Sequence, residues 1–260
     1  MNCQRCGSEI EEIEQIRLKP AWQGGGRETV KRALPCETCA KRSEEETSRI
    51  MQDRKIRNWR LDSGIPENVW DMSLDRDVWA KRKLRIDQCN EEAFDVLKVW
   101  VETANAGALI WGKQGRGKST LAISAGLDCL RRSQEVLFIS EVDLIDSYRN
   151  RSEANQGLVR RAMDVEVLIL DNVGRHEITR GTAYLKELYF DLLDRRLPIL
   201  GDPLKTLVTS QHDAPSLSEW CSDGAMASRL LSIIQGNELE ITGDDRRHGL
   251  WLRQHPKGGA

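Results

Sequence analysis

Short apolar runs alternate along most of this chain with longer segments of helical periodicity. Residues 108–111 (ALIW), 136–139 (VLFI), 165–170 (VEVLIL) and 206–209 (TLVT) read as strands, and the third leads into Asp171 as a strand buried on both faces would. Ala93, Val96, Leu97 and Trp100 recur at helical spacing and predict an amphipathic helix over 91–103. Further helices are expected over 119–132, after residue 139 through Tyr148, over 183–196 and over about 226–234. Residues 238–241 alternate like a last strand. Strands that alternate with helices predict an α/β fold, a parallel sheet flanked by helices on both sides.

The first third reads differently. Residues 1–40 are cysteine-paired, with a GGG run at 24–26 between the pairs. Residues 41–60, KRSEEETSRIMQDRKIRNWR, are charge-dense and free of breakers, as an exposed helix or helical linker would be. Residues 61–85 contain the turn-like SGIP and the apolar anchors Leu61, Trp70, Leu74 and Trp79. The expected organisation is a small module at 1–42, a charged linker and lead-in at 43–85, the main α/β domain at 86–250 and a tail at 251–260.

A chain of 260 residues can hold one full-sized core and a small accessory module. Its charged fraction of 31% and net charge of -2 exclude a global basic field, so any nucleic-acid contact must come from a local patch. No apolar run approaches the roughly 20 residues that cross a bilayer. The opening MNCQRCGSEIEE lacks a secretory apolar stretch. No membrane association and a cytoplasmic location are the expectations.

Four of the seven cysteines form two C-x-x-C pairs, Cys3 with Cys6 and Cys36 with Cys39, and no histidine precedes His176. Four thiolates in two knuckles suit a tetrahedral structural Zn2+. A module of about 40 residues with few apolar side chains would draw much of its folding free energy from the metal. Redox cysteines and an Fe–S cluster are the alternatives. Cys89, Cys129 and Cys221 lie among apolar or helical residues and read as small packing groups.

GKQGRGKS at 112–119 satisfies G-x-x-x-x-G-K-[ST], after an apolar strand and before a helix. Gly112, Gly115 and Gly117 let the backbone wrap a triphosphate, whose oxygens then face successive N–H groups and the positive end of the helix. Lys118 is placed to reach the β- and γ-phosphates, the Ser119 hydroxyl to hold Mg2+, and Thr120 to complete the binding run. Asp171, toward the carboxyl end of the strand VLILDNVG at 167–174, would hold the Mg2+ shell opposite Ser119. Position 172, where a hydrolytic relative would carry Glu or Asp, is Asn. An amide orients water but takes no proton, and a positioned base is worth about 100- to 10,000-fold.

With these pieces in place, the order of segments resembles the helicase-loader branch of AAA+ proteins, the DnaC/DnaI type, which also contains the ATPase subunits of IstB-type transposons. The resemblance covers about residues 61–248 and runs through IPENVWDMSLD, GALIWGKQGRGKSTLA, FISEVDLIDSYR, LILDNVG, LYFDLLDRRLP, LVTSQ, ASRLL and GDDRR. It implies ATP as the nucleotide and a strand at Thr209, Ser210 and Gln211 lying between the phosphate-loop and Asp171 strands. A polar residue there senses the γ-phosphate; the family usually has Asn where this chain has Gln211. Arg229 in ASRLL matches an arginine that reaches into a neighbouring subunit's ATP site, so self-association through that site is implied, with a solvated helix residue as the plain alternative. Arg195 and Arg196 resemble another basic position of the family, with a surface pair as the preferred account. The resemblance implies partners as well: a replicative DnaB-type helicase, and single-stranded DNA on which it is placed. A transposition helper ATPase that binds duplex DNA, or a DNA-binding Zn ribbon fused to a degenerate ATPase, are the other readings.

Overall fold

A computed structural model of the chain describes all residues except 1, 4, 11, 19–26, 34–35, 83, 85–89, 104–106, 176–182, 198–203, 222, 235–236, 244 and 246–260. The GGG run, Cys89, the tail, and Asp244, Arg246 and Arg247 of the GDDRR segment therefore lie outside the described residues. Chain contacts divide the molecule into two units, Met1–Lys55 and Ile56–Ala260.

In the first unit, strands β1 (Glu12–Leu18) and β2 (Arg27–Ala33) pair antiparallel from Glu12↔Ala33 to Leu18↔Arg27. This hairpin was not expected: neither EIEQIRL nor RETVKRA shows the strict apolar–polar alternation that signals a strand. Helix α1 (Glu37–Asp62) starts within the second cysteine pair and runs unbroken across residues 42 and 43. None of its residues is buried, as its charge density requires.

The second unit is built on a five-stranded parallel sheet. Its strands are β3 (Gly107–Trp111), β4 (Val136–Ser140), β5 (Val167–Val173), β6 (Lys205–Ser210) and β7 (Glu238–Glu240), in the order β4-β5-β6-β3-β7. Strand side chains point alternately to two separate cores. Leu109, Leu137, Leu168, Leu170 and Val208 face one. Ala108, Ile110, Val136, Val167, Ile169 and Leu207 face the other. Two cores on one sheet leave residues 108–110 of β3 and 167–170 of β5 apolar on both faces, which is why they read as continuous runs, whereas β6 is apolar only at Leu207 and Val208.

Helices α5 (Glu141–Arg149), α6 (Glu153–Asp164), α7 (Ala183–Arg196), α8 (Ala214–Cys221) and α9 (Gly224–Ile234) contribute to the first core. The second core is closed by α2 (Arg76–Lys81), α3 (Glu91–Glu102), α4 (Lys118–Arg131) and the lead-in at 63–75. Helices α2, α6 and α8 were not anticipated. The signal for α6 was Ser152, whose hydroxyl accepts from Asn155 N–H at 3.3 Å as an N-cap.

Strand β5 runs from Val167 to Val173, close to the expected 167–174, with a bulge after Leu170, and Val173 pairs with Ser210. One expectation is corrected here. Arg195 is exposed and paired with Asp164 at 2.6 Å, but Arg196 is 1% exposed and no part of a surface pair. Its guanidinium donates to Thr206 Oγ1 and to the carbonyls of Ala162, Val165 and Lys205, at 2.7 to 3.0 Å. A charge that deep is tolerated because carbonyls replace its water.

The lead-in is stitched to the sheet. Phe138 N–H donates to Ser63 O at 2.7 Å, which caps the outer edge of β4. Gly64 has φ +74°, and a Cβ there would stand 2.3 Å from Phe138 O, so only glycine fits.

Candidate functional site

The phosphate loop follows β3 and opens α4. Gly112, Gly115 and Gly117 all have positive φ, and Gly117 is the left-handed residue from which α4 starts. Two of these glycines also answer to tertiary neighbours: a Cβ on Gly112 would stand 2.3 Å from Ile241 O, and one on Gly115 would stand 1.9 Å from the Asp245 carboxylate. Arg116 adds a bond to Ile241 O at 3.3 Å, so the segment after β7 lies along the loop. Lys118 Nζ, nearly buried, donates to Gly112 O at 2.7 Å and Lys113 O at 2.8 Å. Those carbonyls hold the cation over the loop, where arriving phosphate oxygens would replace them.

Across from the loop, Ser119 Oγ donates to Asp171 Oδ1 at 2.8 Å. The hydroxyl and carboxylate that would hold Mg2+ are thus already together, and this donor set fits the ion. Strand β6 lies between β3 and β5, where the resemblance put the sensing strand. Its contribution to the site comes from buried Thr209, whose hydroxyl donates to Asp171 Oδ1 at 2.5 Å and accepts from Asn172 N–H at 2.9 Å. Gln211 follows in the turn after β6, half-buried.

The chain beyond Asp171 is held residue by residue. Asn172 sits at φ +64°, a region that Asn enters more readily than most residues, and Gly174 at φ +86°. Ser210 Oγ donates to Val173 O at 2.7 Å. The fully buried Glu141 carboxylate accepts from Gly174 N–H at 3.2 Å, Arg175 N–H at 3.0 Å and Tyr189 OH at 2.6 Å. Burial, and then the charge of Glu141, push the Tyr189 phenol well above its ordinary range, so it stays a donor. Glu141 was missed from sequence: an acid at the start of a helix looks like a solvated one.

Beside the loop lies a recess of about 230 Å3 lined by Val69, Met72, Arg82, Leu84, Thr120 and Ile123. Arg229, on α9, pairs its Nε with Asp194, donates to Ala225 O at 3.2 Å and lies 4.3 Å from the Phe190 ring centre. Within its own chain it is thus tied to α7.

In the first unit, Cys3, Cys6, Cys36 and Cys39 converge, all four sulfurs within 4.8 Å of one another. Cys3 and Cys39 sulfurs are 3.6 Å apart, and those of Cys6 and Cys36 3.3 Å. A tetrahedron of sulfurs at Zn–S distance has edges of about 3.8 Å, so the cluster fits such an ion. The Cys3 turn is closed by Cys3 N–H to Ser8 O and Gly7 N–H to Cys3 O, both at 2.8 Å. Ser8 draws the Cys6 thiol down to about 6, whereas Cys6 and Cys3 drive Cys39 up to about 12. Crowded thiols cannot all ionise without a cation among them. Cys129 and Cys221 are buried packing groups, as expected.

The profile of the family described as "IstB-like ATP binding protein" matches residues 87–250, more than half of the chain. The chain belongs to this family. A Pseudomonas aeruginosa relative described as an insertion sequence IS21 ATP-binding protein is 27% identical over 157 residues, 58% of this chain and 55% of its own. The match thus spans only about half the length of that relative. Among solved structures, DnaI aligns with a TM-score of 0.55 at 21% identity, over 71% of this chain and 95% of its own. The DnaC helicase loader aligns with a TM-score of 0.55 at 16% identity, over 68% and 100%. These likenesses establish the P-loop AAA+ fold of this IstB-like ATP-binding domain. The cysteine cluster lies outside the matched residues. Among the described residues, no helix is long and apolar enough to cross a membrane.

Proposed function

We propose that this chain is an ATP-switched loader that binds a DnaB-type replicative helicase and places it on single-stranded DNA. The observation that carries the reading is the first unit, which lies outside the matched residues: a four-cysteine cluster followed by the start of α1, a 26-residue helix with no buried residue. A module of that kind suits docking on a partner. The DnaC neighbour, itself described as a helicase loader, supports the choice of partner. The cluster holds one structural Zn2+. ATP and Mg2+ occupy the phosphate loop, Ser119 and Asp171, and the base enters the recess beside Thr120. The protein works in the cytoplasm.

Asn172 makes nucleotide a switch before it is a fuel, because an amide stands at position 172 in place of a carboxylate that would deprotonate the attacking water. Arg229 completes the ATP site of a neighbouring chain, so ATP assembles the subunits side by side. Gln211 serves at the γ-phosphate edge in place of the usual Asn.

The matched family and the IS21 relative favour a second reading, a transposition helper that binds duplex DNA. One experiment separates the two. The full chain is immobilised with and without ATP and offered the host replicative helicase, or a transposase with duplex DNA. ATP-dependent retention of the helicase, lost when residues 1–55 are removed, is expected. Retention of the transposase complex alone would replace the loader by the helper.

A further inference from the structure

Helix α4 carries different groups along its length. Its first turn bears Lys118 and Ser119, and Thr120 and Ile123 form the floor of the recess. Farther along, Asp128 and Arg131 hold the wall of that recess in place. Asp128 Oδ2 accepts from Leu74 N–H at 2.7 Å. Arg131 Nη2 donates to Met72 O at 2.7 Å and to Trp70 O at 3.2 Å. The two side chains are joined to each other, Arg131 Nη1 to Asp128 Oδ1, at 2.5 Å.

Three backbone groups within five residues of the lead-in are therefore gripped by one ion pair, one turn apart on the helix. That stretch has only a short 3-10 turn of its own, Glu67–Val69, so its position over α4 depends on such ties and on the burial of Met72 and Leu74. Met72 is both gripped through its carbonyl and a lining residue of the recess. At the other end Arg82 donates to Asn68 O at 2.8 Å and pairs with Asp71.

We propose that Asp128 and Arg131 are positioning residues for the nucleoside half of the bound nucleotide. Neither touches it. They set the spacing between the Val69–Met72 wall and the Thr120–Ile123 floor, and so the fit of the base. The inference rests on the reading that the recess takes the base.

Tripolyphosphate, which needs the phosphate loop but no recess, provides the control. Binding of Mg-ATP and of inorganic tripolyphosphate to the full chain is measured by calorimetry for the parent, Asp128→Asn and Arg131→Met. Loss of a charge-assisted tie should weaken ATP about tenfold and leave tripolyphosphate within about twofold. Lys118→Ala should weaken both ligands. Equal weakening of both ligands in the Asp128 and Arg131 variants, with a lowered melting midpoint, would reduce the pair to a structural role and overturn the proposal. Unchanged ATP affinity would overturn it too. A parent that binds tripolyphosphate as tightly as ATP would refute the recess itself, an outcome distinct from failure of the clamp. Should Arg131→Met not fold, Arg131→Lys, which keeps one donor, should show an intermediate loss confined to ATP; an Arg131→Lys that binds ATP as the parent does would overturn the proposal.

Discussion

The Thr209 hydroxyl donates to the Asp171 carboxylate at 2.5 Å and receives the Asn172 N–H on its other side. One buried side chain on β6 thereby orients the carboxylate proposed to hold Mg2+ and tethers the residue next to it. Thr209→Val keeps the shape and removes both bonds. It should cost about 1–3 kcal/mol of stability, since Asn172 N–H loses its acceptor. It should also weaken ATP more in the presence of Mg2+ than in its absence. Denaturant unfolding and nucleotide titration with and without Mg2+ measure the two effects, and equal losses in both titrations would detach Thr209 from the metal.

Asn172 occupies a left-handed backbone position, which sets the rank of its variants. Asp tolerates that region and Glu is less suited to it. ATP turnover by the parent should be slow, Asn172→Asp should raise it, and Asn172→Glu should raise it less. A parent turning over ATP as fast as Asn172→Asp would mean that another group supplies the base.

Asp245 lies against the phosphate loop at Gly115, where a triphosphate would bring like charge. Asp245→Asn should tighten ATP several-fold, and the gain should shrink at high salt. If affinity is the same at low salt, the carboxylate swings clear when nucleotide arrives.

Arg229 is held by Asp194 and Phe190 in its own chain and is proposed to act in the next. Arg229→Ala should leave ATP binding to the isolated chain intact and abolish ATP-dependent assembly. Lys118→Ala should fail at ATP binding itself. Each variant retains one good half-site, so a mixture should recover some assembly. Loss of ATP binding in Arg229→Ala alone, with no recovery in the mixture, would place the arginine in its own subunit's site.

Freshly purified protein should contain one Zn2+ per chain, and Cys36→Ser should lose it and unfold the first unit while ATP affinity is retained. Metal analysis that finds iron, or far less than one metal per chain, would refute the assignment.

The phosphate loop was legible from sequence because its chemistry is local. Gly112, Gly115, Gly117, Lys118 and Ser119 are contiguous, and their backbone needs are written in residue type. The parallel, doubly covered sheet was legible for a similar reason, since burial on both faces leaves no polar alternation in a strand such as Val167–Leu170. The convergence of Cys3, Cys6, Cys36 and Cys39 followed from their ligand chemistry, whereas the hairpin between the pairs was not legible, because its strands do not alternate apolar and polar residues.

Burial of charge was not legible. Glu141 and Arg196 look like any solvated acid and base, and only the elements folded around them show the donors and carbonyls that replace water. Nor does any stretch of sequence tie Leu74 to Asp128 or Thr209 to Asp171. Those contacts span 54 and 38 residues and depend on how distant segments come together, a choice made by long-range packing of interchangeable apolar faces. The residue types of the site were set locally, and its geometry was decided by which strands and segments became neighbours.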